Sequence, residues 1–283
     1  MTKTGHLDVD GQRLEFRMLG PPCENAPTIV MLHEGLGSVS MWRDFPDRVA
    51  KTTGFGVFVY SRMGYGSSTP CDVPRPLTYM HDEALNTLPD ILDSIGFHLG
   101  ILLGHSDGAS IAAIHAGGRR DERVRGLILM APHFFTEDAG IASIARTKAD
   151  FESTDLRERL YKHHGENVDG AFWGWNRAWL DPEFRRWDIR EYLDKIRAPM
   201  LIIQGEDDEY GSEKQIEAAR AQCSAPVEAT LLPQCGHSPH RDQPERTLAA
   251  IAAFSRQVIE GPGAVVLNGA SSTHDRSGDV ERW

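Results

Sequence analysis

The stretch Gly100-Ile101-Leu102-Leu103-Gly104-His105-Ser106-Asp107-Gly108-Ala109-Ser110 is an apolar run that meets Gly-x-Ser-x-Gly and continues into the small residues from Ile111 to Ala116. A short aliphatic run of this kind reads as a strand buried on both faces, and the segment after it as a helix. The turn between them is so sharp that a side chain at position 104 or 108 would meet neighbouring backbone, so glycine is needed at both. The serine at its apex protrudes at the start of a helix, whose dipole favours developing negative charge. Ser106 is therefore the candidate nucleophile.

Working outward, Thr28 to Leu32, Val57 to Tyr60, Leu127 to Met130 and Met200 to Ile203 are short aliphatic runs that each end at a polar or glycine-rich segment. They also read as buried strands. Leu7 to Val9 and Leu14 to Leu19 flank Asp10-Gly11 and predict a β-hairpin at a sheet edge. Ala84, Leu85, Leu88, Ile91, Leu92 and Ile95 have helical spacing, with Pro89 expected to kink or shorten that helix. Val227 to Leu232 reads as a last strand and Pro244 to Ile259 as a closing helix. Strands alternating with helices predict a mostly parallel sheet with helices on both faces.

Residues 133–198 break the alternation. They are rich in charge and aromatics, among them Trp173, Trp175, Trp179 and Trp187, and hold no convincing buried strand. They predict a helical cap inserted between two core pieces, 1–132 and 199–260, with some tryptophans packing the cap onto the core and others free to line a pocket. Residues 261–283 have the composition of an unfolded tail.

Serine is a weak nucleophile at its own pKa and needs an adjacent base, itself oriented by a third group. Two loops supply candidates. Gly205-Glu206-Asp207-Asp208 follows the strand beginning at Met200, and Gly236-His237-Ser238-Pro239-His240 follows the last strand. Both lie at carboxyl ends of strands, where open α/β sheets build their sites.

Over residues 5–260 the chain resembles the α/β-hydrolase family, whose fold is a mostly parallel eight-stranded sheet. The resemblance implies the chain order serine, acid, histidine. It selects Asp208 as the acid, with Asp207 as the fallback, and His237 as the base in preference to His240, a surface or helix-start residue. It also implies an oxyanion hole made by the backbone N–H of Asp107 and one from the loop Leu32-His33-Glu34-Gly35-Leu36-Gly37-Ser38. Glu34 stands where the family commonly has glycine, which leaves Gly35 as the second donor. Glu34 is either a carboxylate at the pocket floor or a solvated or paired one, with an arginine such as Arg62 as partner. Ser61 to Ser67 resembles the family's structural glycine-rich turn, and the His33, His105 and Asp107 side chains are read as structural.

A serine at the elbow sets the chain apart from haloalkane dehalogenases and epoxide hydrolases, which carry aspartate there. The resemblance implies two-step acyl transfer without metal or organic cofactor, on a carboxylic ester, lactone or thioester. Hydrolysis of a carbon–carbon bond in a ketonic ring-cleavage product is the runner-up. A small-molecule receptor without turnover and cofactor-free oxidation remain as further readings on the same fold.

Composition narrows the partners. With 40% hydrophobic and 25% charged residues the chain is an ordinary globular one, and its net charge of −11 argues against nucleic acid or an anionic membrane. A small neutral or weakly charged substrate fits better, and self-association into a homo-oligomer is compatible with the sequence. The four cysteines form no CxxC pair, which disfavours a zinc site or disulfide framework. No signal-peptide pattern or bilayer-spanning run is seen, so the expected location is the cytoplasm.

Overall fold

A computed structural model describes residues 2–261. The expectation of an unfolded tail falls, apart from Gly261, outside the described residues.

The first two strands, β1 (Thr2–Val9) and β2 (Gln12–Leu19), form the expected hairpin but run longer than the sequence pattern suggests. Asp10 and Gly11 both have positive φ, as a two-residue turn that follows strand twist requires. The remaining strands are β3 (Thr28–Leu32), β4 (Gly56–Tyr60), β5 (Gly100–His105), β6 (Val124–Met130), β7 (Met200–Gly205) and β8 (Val227–Leu232). They form one eight-stranded sheet in the order β1-β2-β4-β3-β5-β6-β7-β8. Pairing is antiparallel for β1 with β2 and β2 with β4, and parallel from β4 to β8.

β3, β4, β5 and β7 are buried throughout because helices cover both faces. One face carries Ile29, Met31, Ile101 and Leu103 against Trp42, Phe45 and Phe254, and the other carries Val30, Leu32 and Leu102. The chain passes from β3 outward to β4 and then returns to β5 on the other side of β3. This reversal opens a crevice at the carboxyl ends of β3 and β5, the usual place for a site in such a sheet.

The helices in chain order are α1 (Phe45–Thr53), α2 (Tyr79–Asp82), α3 (Leu88–Ser94), α4 (Asp107–Arg119), α5 (Asp138–Ser153), α6 (Leu156–His164), α7 (Val168–Leu180), α8 (Lys214–Gln222), α9 (Pro239–Asp242) and α10 (Pro244–Glu260). Pro89 acts as expected, but upstream of itself: residues Glu83–Thr87 widen into a π turn between α2 and α3. Proline has no N–H for the carbonyl four residues back, and its ring crowds that carbonyl, so the ladder opens there.

Helices α5, α6 and α7 form the insertion, called the cap below. Its two ends are pinned together by the bridge between Phe135 and Asp188 and by the Ile189 N–H donating to Phe134 O at 2.7 Å. Residues 190–195 return to the core, where Tyr192 packs so closely on α4 that a Cβ on Gly117 would lie 2.4 Å from Tyr192 O. Among the described residues no helix is long and apolar enough to cross a membrane.

Candidate active site

Ser106 sits between β5 and α4 with φ 53° and ψ −118°, a conformation strained for any side-chain-bearing residue. The packing on both sides enforces it. A Cβ on Gly104 would lie 2.2 Å from Gly108 O, and one on Gly108 would lie 2.1 Å from Leu32 O. The elbow thus bends against itself and against the end of β3. Ser106 is 7% exposed, so the candidate nucleophile is buried rather than in open solvent.

Asp208 and His237 come together from the loops after β7 and β8. His237 Nδ1 lies 2.9 Å from both carboxylate oxygens of Asp208, so Nδ1 carries the proton and Nε2 is left to act as a base. The Asp208 side chain is fully buried and accepts further hydrogen bonds from Tyr210 N–H at 2.8 Å and Gln204 Nε2 at 2.7 Å. Burial alone would raise its pKa, but the bond to the His237 ring and that ring's charge, with the Tyr210 N–H, pull it down to about 2. For His237, burial opposes the charged ring, yet Asp208 outweighs it and holds the pKa above the ordinary histidine value. Asp207, the fallback, is exposed. Among the described residues no hydrogen bond closes the gap between the Ser106 hydroxyl and His237, a bond that commonly tightens only with substrate bound.

Asp107 begins α4, so its N–H has no acceptor within the helix and is available to an oxyanion. Gly35 lies on the loop after β3, and a Cβ there would fall 2.2 Å from the Trp175 indole nitrogen. Glycine is needed at this point because α7 brings Trp175 down onto the backbone. Arg62 braces the loop from below, donating to His33 O at 2.5 Å and to Glu34 O at 3.0 Å.

Arg62 therefore meets the backbone of Glu34 and not its carboxylate. The Glu34 side chain, 17% exposed, turns instead toward His105, with 3.4 Å between Oε2 and Nδ1. His240 is also not a surface residue: it is 6% exposed, with its ring 4.9 Å from that of Trp42 and 5.4 Å from that of Phe45. It does lie in the first turn of a helix, α9, as expected, but with its ring buried.

Several site residues escape a reading of the sequence. His133, after β6, stacks on His237 at 5.6 Å, and burial drives its pKa down to about 3. Tyr210 lies 4.6 Å from the His237 ring. The Asp107 carboxylate is buried and accepts from the Tyr79 hydroxyl at 2.5 Å and from Trp179 Nε1 at 3.2 Å. His133 and Gln204 carried a signal, since polar residues at the carboxyl end of a parallel strand face the site. Trp179 carried one only as one of the tryptophans expected to pack onto the core or line a pocket, and Tyr79 carried none. Although histidines gather here, no group of three or more His, Cys, Asp or Glu among the described residues is placed to hold a metal ion.

The arrangement resembles that of known hydrolases. A model of the alpha/beta hydrolase family matches residues 29–251. A proline iminopeptidase of Lactobacillus acidophilus is 23% identical over 241 residues, covering 72% of this chain and 82% of the relative. Among solved structures, the enol-lactonase of Burkholderia xenovorans superposes with a TM-score of 0.68 at 18% identity, covering 88% of this chain and 99% of its own. The naproxen esterase of Bacillus subtilis gives a TM-score of 0.68 at 20% identity, covering 90% and 91%. At these identities the two structures speak for the fold alone.

Proposed function

The chain belongs to the alpha/beta hydrolase family, and from that premise we propose that it is a serine hydrolase that cleaves a small carboxylic ester, lactone or thioester through an acyl-enzyme on Ser106. The observation that carries this reading is the joint between His237 and Asp208, 2.9 Å to both carboxylate oxygens, beside a serine held in a strained elbow at the head of a helix.

In the reaction, Ser106 Oγ attacks the carbonyl carbon while His237 Nε2 takes its proton. The carbonyl oxygen, now negative, rests on the N–H groups of Gly35 and Asp107. Collapse of the intermediate expels the alcohol or thiol, which receives the proton from His237. Water, deprotonated by the same ring, then attacks the acyl group and frees Ser106. Asp208 holds the tautomer and stabilises the imidazolium without itself being protonated.

The relatives' name raises aminopeptidase action as a second reading. A free N-terminal ammonium needs an available carboxylate, and the one beside the nucleophile, Asp107, is already engaged by Tyr79 and Trp179. Glu209, exposed and facing His237, is the carboxylate such an amine would need, so comparison of ester with anilide turnover decides between the two readings. Carbon–carbon hydrolysis, a receptor role and cofactor-free oxidation on the same site are the remaining alternatives.

Fluorophosphonate labelling with peptide mapping, together with turnover of p-nitrophenyl butyrate and proline p-nitroanilide, tests the reading. Label on Ser106 and ester turnover above the anilide are expected. Ser106→Ala and His237→Ala should each lower kcat by about 10³-fold or more, and the double variant by little further, because the groups act as a unit. Wild-type turnover in either single variant overturns it.

A further inference from the structure

A second carboxylate and imidazole meet behind the candidate triad. His105 ends β5, directly before Ser106, and its side chain is 1% exposed. Its Nε2 lies 2.7 Å from the backbone oxygen of His237. A carbonyl can only accept, so Nε2 carries a proton and donates it to this bond. The other ring nitrogen faces Glu34 Oε2 at 3.4 Å and makes no hydrogen bond. Glu34 adjoins Gly35, and its second oxygen lies 3.9 Å from Arg241, four residues beyond His237.

We propose that Glu34 and His105 are positioning residues for His237: the pair ties the backbone of the base to the nucleophile's strand and to the oxyanion loop, and its carboxylate sets the charge around the base. The inference rests on the hydrolase reading above. Three loops that must be in register for acyl transfer, those after β3, β5 and β8, are joined here by two side chains. No other bond among the described residues links His237's backbone to the strand that carries Ser106. Small displacements of a base cost rate steeply, so such a tie bears on catalysis and not only on folding.

The charged and titratable groups around the two histidines are few. His237 is faced by Asp208, Glu209 and Tyr210 from the loop after β7, by His133 from the loop after β6, and by His105 and Glu34. The Glu34–His105 pair is faced in turn by His240 and Arg241 from α9, and Glu34 also by His33 on its own loop and by His163 and His164 at the end of α6. Burial disfavours the His237 imidazolium, and Asp208, Glu209 and Glu34 all favour it. A purely structural Glu34 would leave the titration of the base unmoved when replaced by an isostere.

Glu34→Gln keeps the shape and removes the charge. On p-nitrophenyl butyrate it should lower kcat about 10-fold with KM little changed. The acid limb of the kcat/KM profile should move to lower pH by roughly half a unit, because a negative charge near the base is gone. His105→Gln, whose amide can still donate to the His237 carbonyl, should retain more activity than His105→Phe, which cannot. Should the buried His105 variants fail to fold, Glu34→Gln alone still decides. Unchanged kcat and an unmoved acid limb in Glu34→Gln overturn the proposal. So does a change confined to KM, which would place Glu34 on the substrate. If wild-type protein turns over no ester and takes no phosphonate label, the hydrolase reading falls first, and with it the reaction for which the pair positions its base.

Discussion

The Trp179 indole N–H donates to the Asp107 carboxylate across 3.2 Å, joining α7 of the cap to the first residue of α4, the helix that Ser106 precedes. Asp107 is also the residue whose backbone N–H faces the expected oxyanion. A side chain read from sequence as structural is thus the contact through which the cap reaches the chemistry.

Trp179→Phe keeps an aromatic ring near His133 but removes the indole N–H, which also donates to the Tyr79 hydroxyl at 3.0 Å, together with part of the buried ring. Asp107 Oδ1 then loses its hydrogen bond while buried, which should cost about 1–3 kcal/mol of stability. Thermal unfolding followed by circular dichroism checks this. An unchanged melting temperature would mean that water or a shifted Tyr79 replaces the bond.

Gly35→Ala should lower kcat strongly, because the added carbon would sit 2.2 Å from Trp175 Nε1 and must displace either the indole or the oxyanion loop. Trimming the obstacle distinguishes these. The double variant Gly35→Ala with Trp175→Ala should regain part of the lost kcat, since the loop can return to its place. No recovery would show that position 35 needs glycine for its own backbone.

Asp208→Asn should reduce kcat by on the order of 10⁴-fold, because an amide at this place favours the wrong histidine tautomer. Asp207→Asn, at an exposed neighbour, should leave it within about 2-fold. Steady-state kinetics of the pair locate the acid, and the reverse ranking would move it by one residue.

Acid stability should be governed by groups buried in their less protonated form. The His133 pKa falls from 6.5 to about 3 through burial, so its contribution is complete above pH 6.5 and is lost progressively as pH falls toward 3. His33 and His240, also lowered by burial, act with the same sign. Asp208, ordinarily near 3.8 and here about 2, adds about 2 kcal/mol above pH 4 that disappears between 3.8 and 2. His237, with its raised pKa, acts oppositely: its contribution is present below pH 6.5 and is lost as pH rises through its folded pKa. Melting temperatures should therefore drop from pH 6 to pH 4, with a shallower slope in His133→Phe. An equal slope in that variant would assign the loss to the other groups.

The strands, the hairpin turn, the elbow and the closing helix were legible because each is set by local rules. These are side-chain periodicity, the positive φ that Asp10 and Gly11 adopt, and the steric demand that leaves only glycine at 104 and 108. The two loops that carry Asp208 and His237 were legible as well, because a parallel sheet delivers the loops after its strands to one edge. The choice of Asp208 over Asp207 and of His237 over His240 came from the family resemblance. Pro89 announced a break, but not that the helix would open into a π turn before it.

What surrounds the candidate triad depended on tertiary packing. The sequence offered an arginine such as Arg62 as one partner for the Glu34 carboxylate, yet the fold gives Arg62 the loop's carbonyls and leaves His105 to the carboxylate. Trp179 lies 72 residues from Asp107, and His105 lies 132 from His237. No periodicity or motif encodes such pairs. They arise where the cap and the strand-end loops are pressed into one buried space, and there each polar group takes whichever partner the packing leaves within reach.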